Sequence, residues 1–144
     1  MSPKKRWRGF TLLELLVVLV IIALGTVGVT MAIPDPAESA LEREAVRLSA
    51  LFESARAQSR ASGVPVTWTT TVDGFHFAGV PKGVLPERWS NSSIRAESER
   101  PITLGPEPIL EPQFVELRHS ESPSARRRIA TDGLRPFRIS DSPE

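Results

Sequence analysis

The run from Phe10 to Ile33 constrains this chain more than any other feature, because it is almost wholly apolar and dominated by Leu, Val and Ile. As a helix at 1.5 Å per residue it is about 36 Å long, enough to cross a hydrocarbon layer of about 30 Å. Lys4, Lys5, Arg6 and Arg8 precede it. The positive-inside rule therefore holds its start on the cytoplasmic side and sends the rest of the chain across the membrane. A conventional secretory signal has an apolar core of roughly 7–15 residues, and this core is too long for that. A plain signal anchor fits the length but leaves Glu14 unexplained. An isolated carboxylate costs about 2.5–3.5 kcal/mol at the bilayer centre and less near the interface. Glu14 lies only about 6 Å along the helix from Phe10, so it either snorkels to the interface or has a function there.

The residues at this end form a specific series. A basic leader is followed by Gly9, Phe10, Thr11, Leu12, Leu13 and Glu14, then by the apolar run. This resembles the class III signal of type IV pilins and type II secretion pseudopilins. The resemblance implies that a prepilin peptidase cuts between Gly9 and Phe10 and methylates the new amino terminus of Phe10. Gly9 gives that peptidase a backbone with no side chain to exclude. The resemblance also gives Glu14 an assembly role, pairing with the Phe10 amine of a neighbouring subunit. Pairing with its own Phe10 stays open, because i and i+4 share a helix face.

Residues 1–9 are thus read as a cleaved leader and 10–33 as a single membrane-spanning helix. Losing the leader removes four positive charges and leaves 14 basic against 17 acidic residues. A mildly acidic mature chain has no general basic footprint for nucleic acid. Gly25 and Gly28 interrupt the span, either as points of close helix contact or as residues that a membrane helix tolerates.

Pro34 and Pro36 are expected to kink or briefly break the helix at the membrane exit. Helical patterning resumes from about Ala37 to Arg60, within an amphipathic segment at 34–62. Leu41, Ala45, Leu48, Phe52, Ala55 and Ser59 recur at helical spacing, flanked by Val46 and Leu51. Glu42, Arg43, Arg47, Glu53, Arg56 and Arg60 lie away from that stripe. The face is read as core-facing, with Gly63 as C-cap and Pro65 as stop.

Residues 63–144 are read as β-rich. Thirteen prolines, mostly after position 80, favour turns and short strands there. Val64–Val72 and Phe75–Val80 flank Asp73-Gly74, a hairpin signal that rests on φ > 0 in a tight turn. Trp68, Phe75 and Phe77 are candidate core residues. Residues 81–101 are expected to form a long loop with a short strand near Ile94, either a partner-binding loop or a disordered insertion. Further strands are expected at Ile102–Leu104, Phe114–Arg118, Arg127–Ala130 and Pro136–Ile139. The expected fold class is α+β, a long N-terminal helix packed on an antiparallel, sandwich-like β-domain of pilin type.

No chemistry of catalysis is legible. Cysteine is absent, which excludes disulfides and thiol nucleophiles. His76 and His119 form no metal-ligand set, and no phosphate-binding or nucleophile-elbow motif occurs. The expectation is a non-enzyme with no metal and no cofactor. Arg126-Arg127-Arg128 is the one basic cluster. It is read either as a solvated edge that discourages sheet pairing or as a DNA contact.

The stretch Ala130-Thr131-Asp132-Gly133-Leu134-Arg135-Pro136-Phe137 is similar to the closing hairpin of the H-type minor pseudopilins. That likeness implies a structural subunit near the tip of a type II secretion pseudopilus. Its anchor would sit in inner-membrane lipid and its C-terminal domain in the periplasm, with other major and minor pseudopilins as partners. The same stretch also resembles FimT/FimU-type minor pilins. These imply a role in pilus assembly or DNA uptake instead, with Arg126, Arg127 and Arg128 as DNA contacts.

Overall fold

A proline and an aspartate decide where the second helix begins. Asp35 is its N-cap and accepts a 2.8 Å hydrogen bond from the Ala37 N–H. Pro36 occupies the first turn, where its missing N–H costs nothing and its fixed φ suits a helix. Pro36 therefore starts a helix rather than breaking one, while Pro34 lies outside the described residues. The structure, a computed structural model, describes residues 11–30 and 35–140, with side-chain surroundings for 11–24 and 35–140. It divides into two units, Met1–Pro34 and Asp35–Glu144.

The first unit contains helix α1, Leu12–Thr30. Its large apolar side chains from Leu12 to Leu24 are all exposed, so this stretch buries none of its faces within its own unit. Among the described residues no helix is long and apolar enough to cross a membrane. The expected span of 10–33 extends beyond the described stretch at both ends. The packing roles considered for Gly25 and Gly28 also fall outside the described side-chain surroundings.

Among the described residues the second unit has one helix and seven strands. Helix α2 runs from Pro36 to Ser62 and ends on Gly63, whose N–H bonds the Ser59 carbonyl at 2.8 Å. Strands β1 (Thr67–Thr70), β2 (Phe75–Ala78) and β4 (Ile102–Thr103) form a sheet in the order β2-β1-β4. Strands β3 (Ile94–Glu97), β5 (Gln113–His119), β6 (Ser122–Thr131) and β7 (Arg138–Ser140) form a second, ordered β3-β5-β6-β7. Every pairing is antiparallel. The unit is α+β, a helix followed by an antiparallel β-domain, as a pilin-like fold requires. Helix α2 packs on β5, β6 and β7 of the larger sheet.

All six stripe residues of α2 are fully buried. The buried face is wider than the apolar stripe, however. A second ridge at four-residue spacing runs Ala40, Glu44, Leu48, Phe52, Arg56, and it is covered too. Arg56, expected away from the core, is only 4% exposed and meets Glu53 at 3.5 Å. Aromatic edge contacts knit the core together. Phe52 meets Phe137 at 4.8 Å and Trp68 at 5.3 Å. Phe75 meets Trp89 at 4.6 Å. Edge-to-face pairs of this kind add about 0.5–1.5 kcal/mol each beyond area burial.

Two turn expectations change. Thr70 pairs with Phe75, so residues 71–74 form a four-residue connection, closed by the Thr71 N–H on the Gly74 carbonyl at 3.0 Å. Gly74 has no positive φ. It is glycine for close approach: a Cβ there would sit 2.2 Å from the Glu87 carbonyl oxygen. Gly133 needs both freedoms, with φ of 87° and a Cβ position 1.9 Å from the Leu110 carbonyl oxygen. Its carbonyl also accepts the Leu110 N–H at 3.1 Å, clipping two loops together.

The stretch 81–101 is tied down rather than loose. It contains β3, a bridge between Arg88 and Gly74, and the core residue Trp89. The two sheets are joined by the Gln113 side-chain amide. It donates to the Thr103 carbonyl at 2.5 Å and accepts the Thr103 N–H at 2.9 Å, standing in for a strand neighbour at the edge of β4.

Candidate functional site

The N-terminal motif is held by a cap that the sequence reading overlooked. Thr11 precedes α1, and its hydroxyl accepts the Glu14 N–H at 3.2 Å. Its carbonyl accepts the N–H groups of Glu14 and Leu15 at 3.1 and 3.2 Å. Thr11-Leu12-Leu13-Glu14 has the Thr-x-x-Glu spacing of a capping box, and that spacing was the available signal. Glu14 thus occupies the first helical turn, where a carboxylate complements the helix dipole. It is exposed, one position in an all-apolar surface. Gly9 and Phe10, the expected cleavage and methylation residues, lie outside the described residues.

Residues 5–30 match a family model, the prokaryotic N-terminal methylation motif. The match spans the leader from Lys5 onward, the Gly9-Phe10 junction and Glu14, and it ends before the β-domain begins. It supports a type IV pilin-like or pseudopilin chain processed by a prepilin peptidase and assembled with similar subunits. No curated protein and no solved structure matches the chain.

The arginine cluster does not converge. Strand alternation sends Arg127 to the α2 side of the sheet, where it meets Glu42 at 2.9 Å. Arg126 and Arg128 face the other way. Arg126 lies 3.5 Å from Glu116, and the Arg128 guanidinium stacks 3.8 Å over the Phe114 ring. Two of the three expected DNA contacts therefore share a face, and both have partners within the domain.

A buried carboxylate organises the opposite end of the sequence. Glu44 is 0% exposed. It accepts hydrogen bonds from the Ser90 hydroxyl, from the Ser90 N–H at 3.3 Å and from Arg47. Arg47 also donates to the Arg88 carbonyl at 3.2 Å. These bonds strap residues 88–90 onto α2. Nothing in the helical pattern distinguished Glu44 from its exposed neighbours, because its partners are some forty residues away.

The histidines are structural. His76 pairs with Glu87 at 2.6 Å on the surface. His119 ends β5 and is buried, its Nδ1 accepting the Glu121 N–H at 3.3 Å. Among the described residues no group of three His, Cys, Asp or Glu is placed to hold a metal.

Two carboxylates titrate low. Glu87 is held below the usual carboxylate range by the Phe77 N–H and then by His76. Asp132 is held low by the Arg135 N–H at 2.8 Å and then by the Leu134 N–H at 3.0 Å. A depressed folded-state value contributes stability above the unfolded value, about 4, and loses it as pH falls through the folded one. The urea midpoint of the chain is therefore expected to fall between pH 6 and pH 3. In the double variant Glu87→Gln, Asp132→Asn that fall should shrink. An identical fall in both proteins would assign acid sensitivity to other groups.

Proposed function

We propose that the chain is a structural, non-enzymatic subunit, an H-type minor pseudopilin of a type II secretion pseudopilus. The methylation motif at residues 5–30 supports the pilin-like part of the reading. It supports cleavage at Gly9-Phe10 and N-methylation of Phe10. The exposed apolar side chains of α1 suit burial in inner-membrane lipid and then against other pilin helices. The domain that follows would lie in the periplasm and contact neighbouring pseudopilins. The H-type assignment is supported by the closing strands, where β6 pairs with β7 across the 132–137 connection.

Deleting the gene tests the assignment. Release of secreted enzymes should fall while DNA uptake and pilus-dependent motility continue. Normal secretion with lost uptake would overturn it in favour of a minor type IV pilin.

A further inference from the structure

The face of the larger sheet turned away from α2 carries an unusual row. Register places Arg95 of β3 opposite Arg118 of β5, and Arg118 opposite Arg126 of β6. Three arginines thus stand side by side across three strands. Like charges directly opposite one another destabilise a sheet, and the carboxylates of the adjoining row offset that opposition only in part.

The next row holds Glu97, Glu116, Arg128 and Ser140, and the one after it Phe114, Ala130 and Arg138. Those three rows contain five arginines and two glutamates. The two carboxylates are shared. Arg118 meets Glu97 at 2.9 Å and Glu116 at 2.8 Å, and Arg126 reaches Glu116 at 3.5 Å. Among the described residues Arg95 bonds backbone carbonyls only, those of Ser92 at 2.6 Å and Ile94 at 2.8 Å. The face keeps a formal excess of positive charge, and Arg95 and Arg126 at the ends of the arginine row are exposed.

We propose that the Arg95–Arg118–Arg126 row is a docking surface for the acidic face of a helix in a protein partner. Strands in a sheet lie about 4.8 Å apart. Side chains one turn apart on a helix are about 5–6 Å apart. A helix laid across β3, β5 and β6 therefore presents glutamates at successive four-residue steps close to the three guanidinium groups. The neighbouring Glu97 and Glu116 select against a continuous polyanion such as duplex DNA, whose phosphates would meet them as well. A helix carries its acids in one stripe and turns other side chains toward those carboxylates. Phe114 and Ala130 offer the adjoining apolar contact. The proposal does not depend on which filament the chain joins.

The test uses the full chain in nonionic detergent at low salt. The probes are a fluorescent alanine-based helix with glutamates every fourth residue, its Glu→Gln counterpart, and a duplex DNA oligonucleotide. The acidic helix should bind more tightly than either of the others. The double variant Arg95→Gln, Arg126→Gln should weaken it about five- to ten-fold, the sum of two exposed ion pairs. That variant should melt close to the parent, because relief of like-charge opposition offsets loss of the exposed Arg126–Glu116 contact. Equal binding of acidic and neutral helices, tighter binding of DNA, or a clear loss of stability in the variant would each overturn the proposal.

Discussion

Phe52→Ala will destabilise the α+β domain by about 3–5 kcal/mol, the range for truncating a buried aromatic without collapse of the site. Phe52 is fully buried at the middle of α2, and its ring is the junction of the core. One edge contact goes to Trp68 in β1 of the smaller sheet and another to Phe137 just before β7 of the larger one. Its removal breaks both contacts and leaves a void bounded by a helix and two sheets, none of which can move inward alone. Since whole-domain stability is typically about 5–15 kcal/mol, this one change consumes a large part of it. Chemical denaturation of the full chain reads the loss directly. Val46→Ala is the control, since Val46 is exposed on the same helix and should change stability by less than about 0.5 kcal/mol. A Phe52→Ala cost near that of Val46→Ala would mean that the core is not joined through this ring.

What could be foreseen follows from how far each interaction reaches along the chain. The α2 stripe was legible because helical period acts over three or four residues and every stripe position is buried. Trp68, Phe75 and Phe77 were legible for a similar reason: alternation in a strand names its inner face. Phe137 fell within the expected Pro136–Ile139 strand but was not marked as core, and Trp89 lay in the expected loop; each is buried by a distant aromatic. Arg56 was misjudged by charge, and Glu44 was passed over. Their burial depends on what covers the edge of the helix, and for Glu44 that cover is Ser90. Gly74 was correctly marked as a turn residue for the wrong cause, because the approach of Glu87 comes from outside the hairpin. At the candidate site the same limit holds. Thr11 and Glu14 are three residues apart, and their contact was readable in principle. The arginine row joins residues 95, 118 and 126, and only the register reveals it.

The N-terminal motif gives the largest functional effect expected. Gly9→Leu should block leader removal, because the peptidase would meet a side chain where glycine offers none. The uncut chain keeps its four leader charges and never exposes the Phe10 amine. Glu14 is the more discriminating position, since two physical roles meet there. As the fourth residue of a Thr-x-x-Glu capping sequence its side chain is placed to support the start of α1, a role in which Gln serves nearly as well as Glu. As a charge partner for the Phe10 amine, only the carboxylate suffices. Under the proposed pseudopilin reading, Glu14→Ala and Glu14→Gln should both be cut normally and both enter the filament poorly, by on the order of ten-fold, a loss of about 1.4 kcal/mol. Thr11→Ala removes the cap, worth about 1 kcal/mol of helix stability, but keeps the acid, and should assemble better than either Glu14 variant. Immunoblotting separates cut from uncut chains, and co-purification with the other filament subunits measures incorporation. If Glu14→Gln assembles like the parent while Glu14→Ala and Thr11→Ala both fail, Glu14 acts through the cap and the pairing role is wrong.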